Sequence, residues 1–93
     1  MMAEDVGNRL REARKAKGLS RPTVAERMGL TRGALQHHEQ GTADPSMANL
    51  AKYAKIYRVS IDWIVFGKGK GPTDAREPRE AVLEVWDQIA TGD

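Results

Sequence analysis

Ser20-Arg21-Pro22-Thr23-Val24-Ala25-Glu26-Arg27-Met28-Gly29-Leu30-Thr31-Arg32-Gly33-Ala34-Leu35-Gln36-His37-His38-Glu39-Gln40-Gly41 reads as two short capped helices joined by a glycine turn. Ser20 is a good N-cap, and Pro22 falls in the first helical turn, where a missing N–H is harmless. Val24, Ala25 and Met28 then form a short inward stripe. Gly29 supplies the left-handed residue that ends the helix, and Leu30 drops into the core behind it. Thr31 caps the second helix, whose inner face is Leu35 with His38 beside it, and Gly41 closes it. Helices this short do not persist alone in water, so the flanks must supply a core.

They do. Upstream, Val6, Leu10 and Ala13 recur at i, i+4 and i+7, predicting a helix from about Asp5 to Lys17 that Gly18 and Leu19 terminate. Some of Arg9, Arg11 and Lys15 on that helix belong to a solvated face. Downstream, Asp44-Pro45-Ser46 leads into a helix over Ser46 to Tyr57 with Met47, Leu50, Ala51, Ala54 and Tyr57 facing inward. Ser60 caps a fifth helix carrying Ile61, Ile64 and Val65, and Gly67 ends it. Trp63, Ile64 and Phe66 are core or dimer-edge residues. Residues 1–67 therefore make one five-helix domain. Gly67-Lys68-Gly69-Lys70-Gly71-Pro72 opens a linker over residues 68–77. In residues 78–93, Val82, Val85, Trp86 and Ile89 predict an amphipathic helix for dimerisation or partner docking. The chain reads as all-α.

Ninety-three residues suffice for one small core, and no cysteine is present, which excludes disulfides and thiolate metal sites. The lack of a long apolar run or signal-like start predicts a cytosolic chain away from membranes. The net charge of +2 conceals a split: residues 1–71 carry +6 and residues 72–93 carry −4. A basic body suits phosphate, because counterion release drives affinity for nucleic acid, and the acidic tail should face away from it. A paired-helix motif on a basic body points to double-stranded DNA. No catalytic arrangement is present, since the serines and threonines serve as caps and both histidines share one helix. His37-His38-Glu39 is no metal site: adjacent helical residues diverge by about 100° and no third ligand is suitably spaced. No metal or cofactor is expected, and the chain is not read as an enzyme.

Several ordered marks together resemble the phage-repressor-like helix-turn-helix regulators of Cro/CI type, the XRE family. They are Arg9-Leu10-Arg11-Glu12-Ala13-Arg14 before Gly18-Leu19-Ser20, then Val24-Ala25, Met28-Gly29-Leu30-Thr31, and Glu39 with Gly41. Pro45-Ser46 before Leu50, and Val59-Ser60-Ile61-Asp62-Trp63-Ile64 with Gly67, continue the likeness, which covers Val6 to Gly67. The resemblance implies a compact five-helix, lambda-repressor-like DNA-binding domain, here followed by the linker and one C-terminal helix. It also implies a homodimer that lays the second motif helix in the major groove. Its base-reading places fall on Arg32, Gly33, Gln36 and His37. Arg32 suits guanine and Gln36 suits adenine, while His37 suits donation to guanine or phosphate. Its phosphate-facing places fall on Ser20, Arg21, Thr31 and Thr42, and its frequent structural ion pair falls on Arg14 and Glu39.

The departures matter as much. Arg21 stands where the family usually has glutamine, Gly33 vacates a reading position, and Asp44 weakens a basic loop. His38 replaces an apolar residue and reads as a half-buried, locally bonded histidine. The leading functional expectation is a dimeric repressor on a pseudo-palindromic operator. The alternative is an antitoxin-like or accessory interaction module whose C-terminal helix binds a partner protein. The two differ in whether a chain ending at Gly67 still dimerises and binds DNA.

Overall fold

The computed structural model describes residues 3–72, which fold into five helices with no strand among them. Part of the expected linker (residues 73–77) and the C-terminal segment 78–93, with Val82, Val85, Trp86 and Ile89, lie outside the described residues. The helices are α1 (Ala3–Ala16), α2 (Arg21–Met28), α3 (Arg32–Gln40), α4 (Met47–Tyr57) and α5 (Ile61–Phe66).

Four of these begin on a hydroxyl cap. Ser20, Thr31, Ser46 and Ser60 each take extended backbone, and each side chain accepts the third helical N–H, from Thr23, Ala34, Asn49 and Trp63 respectively. The turn between α2 and α3 needs a left-handed residue, and Gly29 supplies it at φ 73°. Leu30 N–H then reaches back to Ala25 O at 2.9 Å, which seats the Leu30 side chain against the core.

The core gathers Val6, Leu10 and Ala13 of α1, Val24, Ala25 and Met28 of α2, Leu35 of α3, Leu50, Tyr53 and Tyr57 of α4, then Val59 and Ile64. Helix α1 lies against α3, α4 and α5. On α4 the buried stripe is Leu50, Tyr53 and Tyr57, with Ala54 half-buried, rather than the expected set that began at Met47. Met47 is 70% exposed and Ala51 is exposed as well. Tyr53 displaces them because its ring stacks on Tyr57 with centroids 5.8 Å apart, and its hydroxyl finds a partner in His38.

Two arginines read as candidates for a solvated face instead join helices. Arg9 Nη1 donates to Ile64 O and Val65 O, both at 3.1 Å, and so occupies the negative end of α5. Arg11 Nη2 donates to Glu39 O at 3.1 Å, near the end of α3. Lys15 is exposed. Ile64 is fully buried, Trp63 half-buried, and Phe66 62% exposed. The first residues of the expected linker fold back on α5: Ser60 N–H donates to Lys70 O at 2.9 Å, and Gly71 lies against the Trp63 ring.

Candidate nucleic-acid interface

Helix α3 divides cleanly into two faces. Leu35, His38 and Glu39 are buried, whereas Arg32, Gly33, Gln36 and His37 are all exposed. The last four fall at i, i+1, i+4 and i+5, so they share one outward stripe. Thr31 starts this stripe, with its hydroxyl accepting Ala34 N–H at 3.0 Å. A residue at position 33 has open space around it: nothing lies within 4 Å of where a Cβ would stand.

The inward face fixes how the stripe is presented. The Glu39 carboxylate, 1% exposed, accepts Arg14 Nε at 2.7 Å and Arg14 Nη2 at 3.2 Å. Arg14 also donates through Nη1 to Leu19 O at 3.0 Å. One buried guanidinium therefore joins α1, the loop before α2, and α3. Arg21, at the first position of α2, adds a third link, with Nε donating to Glu39 Oε1 at 3.1 Å while its side chain stays 48% exposed. The sequence placed Arg21 facing phosphate only; the fold gives it an inner partner too. Its Nε is engaged inward, and the half-exposed guanidinium still presents charge at the start of α2.

Ser20, Thr42 and His38 are also tied down. Ser20 Oγ accepts Thr23 N–H at 3.3 Å and donates to Thr23 Oγ1 at 2.9 Å. Thr42, just past α3, lies with Oγ1 2.7 Å from His37 Nδ1 and 3.3 Å from His37 O. His38 is buried, with Nδ1 2.9 Å from the Tyr53 hydroxyl.

Burial holds the His38 pKa below the usual imidazole value, and the neighbouring His37 lowers it further. The folded chain thus keeps His38 neutral under mildly acidic conditions in which an unfolded histidine binds a proton. The corresponding stability is present above the unfolded value, about 6.5, and is lost as pH falls through the folded one. Comparing melting temperatures at pH 7.5 and 5.5 should show a smaller acid loss for His38→Leu than for the parent. Equal losses in both would show that His38 has no part in it.

The sequence reading passes over Gly7 and counts Arg11 among the candidates for a solvated face, although both set the position of α3. A Cβ at Gly7 would stand 2.5 Å from Glu39 O and 2.6 Å from His38 O, so α1 crosses α3 with no room for a side chain there.

Comparisons with known proteins agree with this geometry. Residues 10–64 match the family model HTH_3, described as Helix-turn-helix. A SPbeta prophage-derived uncharacterized HTH-type transcriptional regulator of Bacillus subtilis, YonR, is 36% identical over 61 residues, covering 66% of this chain and 56% of the relative. The HTH-type transcriptional regulator ImmR of the same organism is 32% identical over 89 residues, covering 89% of this chain and 69% of the relative. Among solved structures, the restriction-modification controller protein C.AhdI from Aeromonas hydrophila superposes with a TM-score of 0.62 at 35% identity, covering 67% of this chain and 94% of that one. The clp gene regulator ClgR from C. glutamicum gives a TM-score of 0.64 at 26% identity, covering 70% and 84%. With its two capped motif helices, its outward α3 stripe and a family match across most of the described fold, the chain belongs to the HTH_3 helix-turn-helix family, the XRE-type transcriptional regulators.

Proposed function

We propose that the chain is a sequence-specific DNA-binding regulator that acts as a homodimer and represses by occupying a pseudo-palindromic operator. The observation that carries this reading is the α3 stripe: four outward positions, Arg32, Gly33, Gln36 and His37, on a helix whose inner face is clamped by Arg14 and Arg21 through Glu39. A reader helix must hold its side chains to a fraction of an ångström, and a buried ion pair favours orientation over net stability. The names of the relatives, regulators of transcription, support the same reading.

Arg32 stands at the first position of α3, where a guanidinium reaches guanine O6 and N7 with two parallel hydrogen bonds. Gly33 lets the α3 backbone come close to the base edges. Phosphates are held at the starts of α2 and α3, where Ser20 and Thr31 cap helix ends that carry partial positive charge and Arg21 follows Ser20, whereas Thr42, past the far end of α3, turns both its N–H and its hydroxyl to His37 O. Selection of sites from random duplex DNA tests the assignment. Arg32→Ala should lose preference at one symmetric base position, weakening binding to the parent's site about tenfold or more. Unchanged site preferences would remove Arg32 from base reading.

Two copies are needed to reach successive major-groove faces, which lie about 34 Å apart. The dimerising residues in this proposal are Val82, Val85, Trp86 and Ile89. Replacing Trp86 and Ile89 by aspartate should give a monomer in sedimentation equilibrium. A dimer that persists moves the interface to α5, where Phe66 is 62% exposed.

A further inference from the structure

The contact between His37 and Thr42 carries more than position. The Thr42 hydroxyl has one hydrogen and two neighbours, His37 Nδ1 at 2.7 Å and His37 O at 3.3 Å. A carbonyl oxygen can only accept, so the hydroxyl hydrogen is directed to His37 O. In the arrangement that keeps both hydroxyl contacts, the oxygen lone pair faces Nδ1 and Nδ1 carries the ring hydrogen. The opposite arrangement, with the hydroxyl donating to Nδ1, leaves His37 O with the backbone N–H groups of Gly41 and Thr42 as its donors; this one keeps both hydroxyl contacts as well. A neutral imidazole with hydrogen on Nδ1 has none on Nε2.

We propose that Thr42 locks His37 in the Nδ1–H tautomer, so that Nε2 is an acceptor that reads the exocyclic amino group of adenine or cytosine in the major groove. The proposal rests on the DNA-reading assignment of α3 given above. Only adenine N6 and cytosine N4 offer hydrogens in that groove, while guanine O6 and N7 and thymine O4 would place lone pair against lone pair. This reverses the expectation from sequence, in which His37 donates to guanine or phosphate. It also gives the stripe complementary chemistry, because Arg32 only donates, Gln36 does both, and His37 accepts.

Base sequence alone cannot test this, since every pair presents a donor on one base or the other, so the test uses base analogues. Sites are first selected with the full chain and with His37→Ala, which identifies the base pair whose enrichment depends on His37. At that pair, removing the amino group (purine for adenine, or pyrimidin-2-one for cytosine) should weaken the parent about tenfold and leave His37→Ala unaffected. Removing the purine acceptor with a 7-deaza base should change neither protein. Thr42→Val releases the ring to either tautomer, so amino-group dependence falls and 7-deaza dependence appears; Thr42→Ser keeps the parent pattern. The inference is overturned if the 7-deaza base weakens the parent instead, or if Thr42→Val only lowers affinity uniformly. It is overturned too if no enriched pair depends on His37. A parent chain that enriches no site at all overturns the DNA-reading assignment itself, a distinct result.

Discussion

Glu39→Ala lowers the unfolding free energy by about 3–5 kcal/mol. The carboxylate is 1% exposed and is the shared acceptor for Arg14 and Arg21. Without it, Arg14 keeps its charge at 7% exposure with Leu19 O as its remaining acceptor. A cation in low dielectric with a single carbonyl partner is far more costly than the pair was favourable. Arg14→Ala should be the milder change, because the half-exposed Arg21 remains on the carboxylate and can swing further inward. Replacing both members by apolar residues, as in Arg14→Met with Glu39→Leu, should recover much of the loss, since no buried charge is then left alone. Urea unfolding of the two single variants and the double variant measures all three. The assignment is abandoned if Glu39→Ala unfolds at the parent's midpoint or if the double variant is the least stable of the set.

The same ion pair shows what was legible in the chain. Arg14 and Glu39 are 25 residues apart and were paired from the family resemblance alone, since no local pattern couples α1 to α3. Helix ends were legible for a different reason: a cap acts within three residues, and Ser20, Thr31, Ser46 and Ser60 all perform it. The outward stripe of α3 came from the family resemblance, and the buried Leu35 sets a helix phase that agrees with it. Phase was misread on α4, where Met47 and Ala51 looked inward by hydrophobicity. Tyr53 won because its polar tip meets His38, a residue from another helix. Arg9 was illegible for the same reason: its acceptors, Ile64 O and Val65 O, lie more than 50 residues along the chain. A basic residue on a basic helix face gives no sign of which distant carbonyl it will meet. The second contact made by Arg21, and the hold of Thr42 on His37, likewise exist only once α2, α3 and the following loop are in place.

Gly7→Ala is the change in which local and tertiary preference oppose each other most directly. Within α1 alone, alanine is favoured over glycine by about 1 kcal/mol, so a reading confined to the helix predicts stabilisation. The fold predicts the reverse. The new methyl group would stand 2.5 Å from Glu39 O, 2.6 Å from His38 O and 2.8 Å from Glu39 C, all of them backbone atoms that cannot rotate aside. Relief requires α1 and α3 to separate, and separation loosens Arg11 Nη2 from the same Glu39 O and Arg14 from the Glu39 carboxylate. We expect a net loss of about 3 kcal/mol, toward the upper end for overpacked sites. In a domain of this size that corresponds to a fall of about 15 °C in melting temperature. Gly33→Ala is the internal control, since that position is helical and open, and its melting temperature should rise. Opposite signs for two glycine-to-alanine changes in one protein cannot come from helix propensity, which favours alanine at both. A Gly7→Ala chain that melts above the parent would mean that α1 and α3 stand further apart than described, and the close crossing that sets the pose of the reading helix would have to be given up.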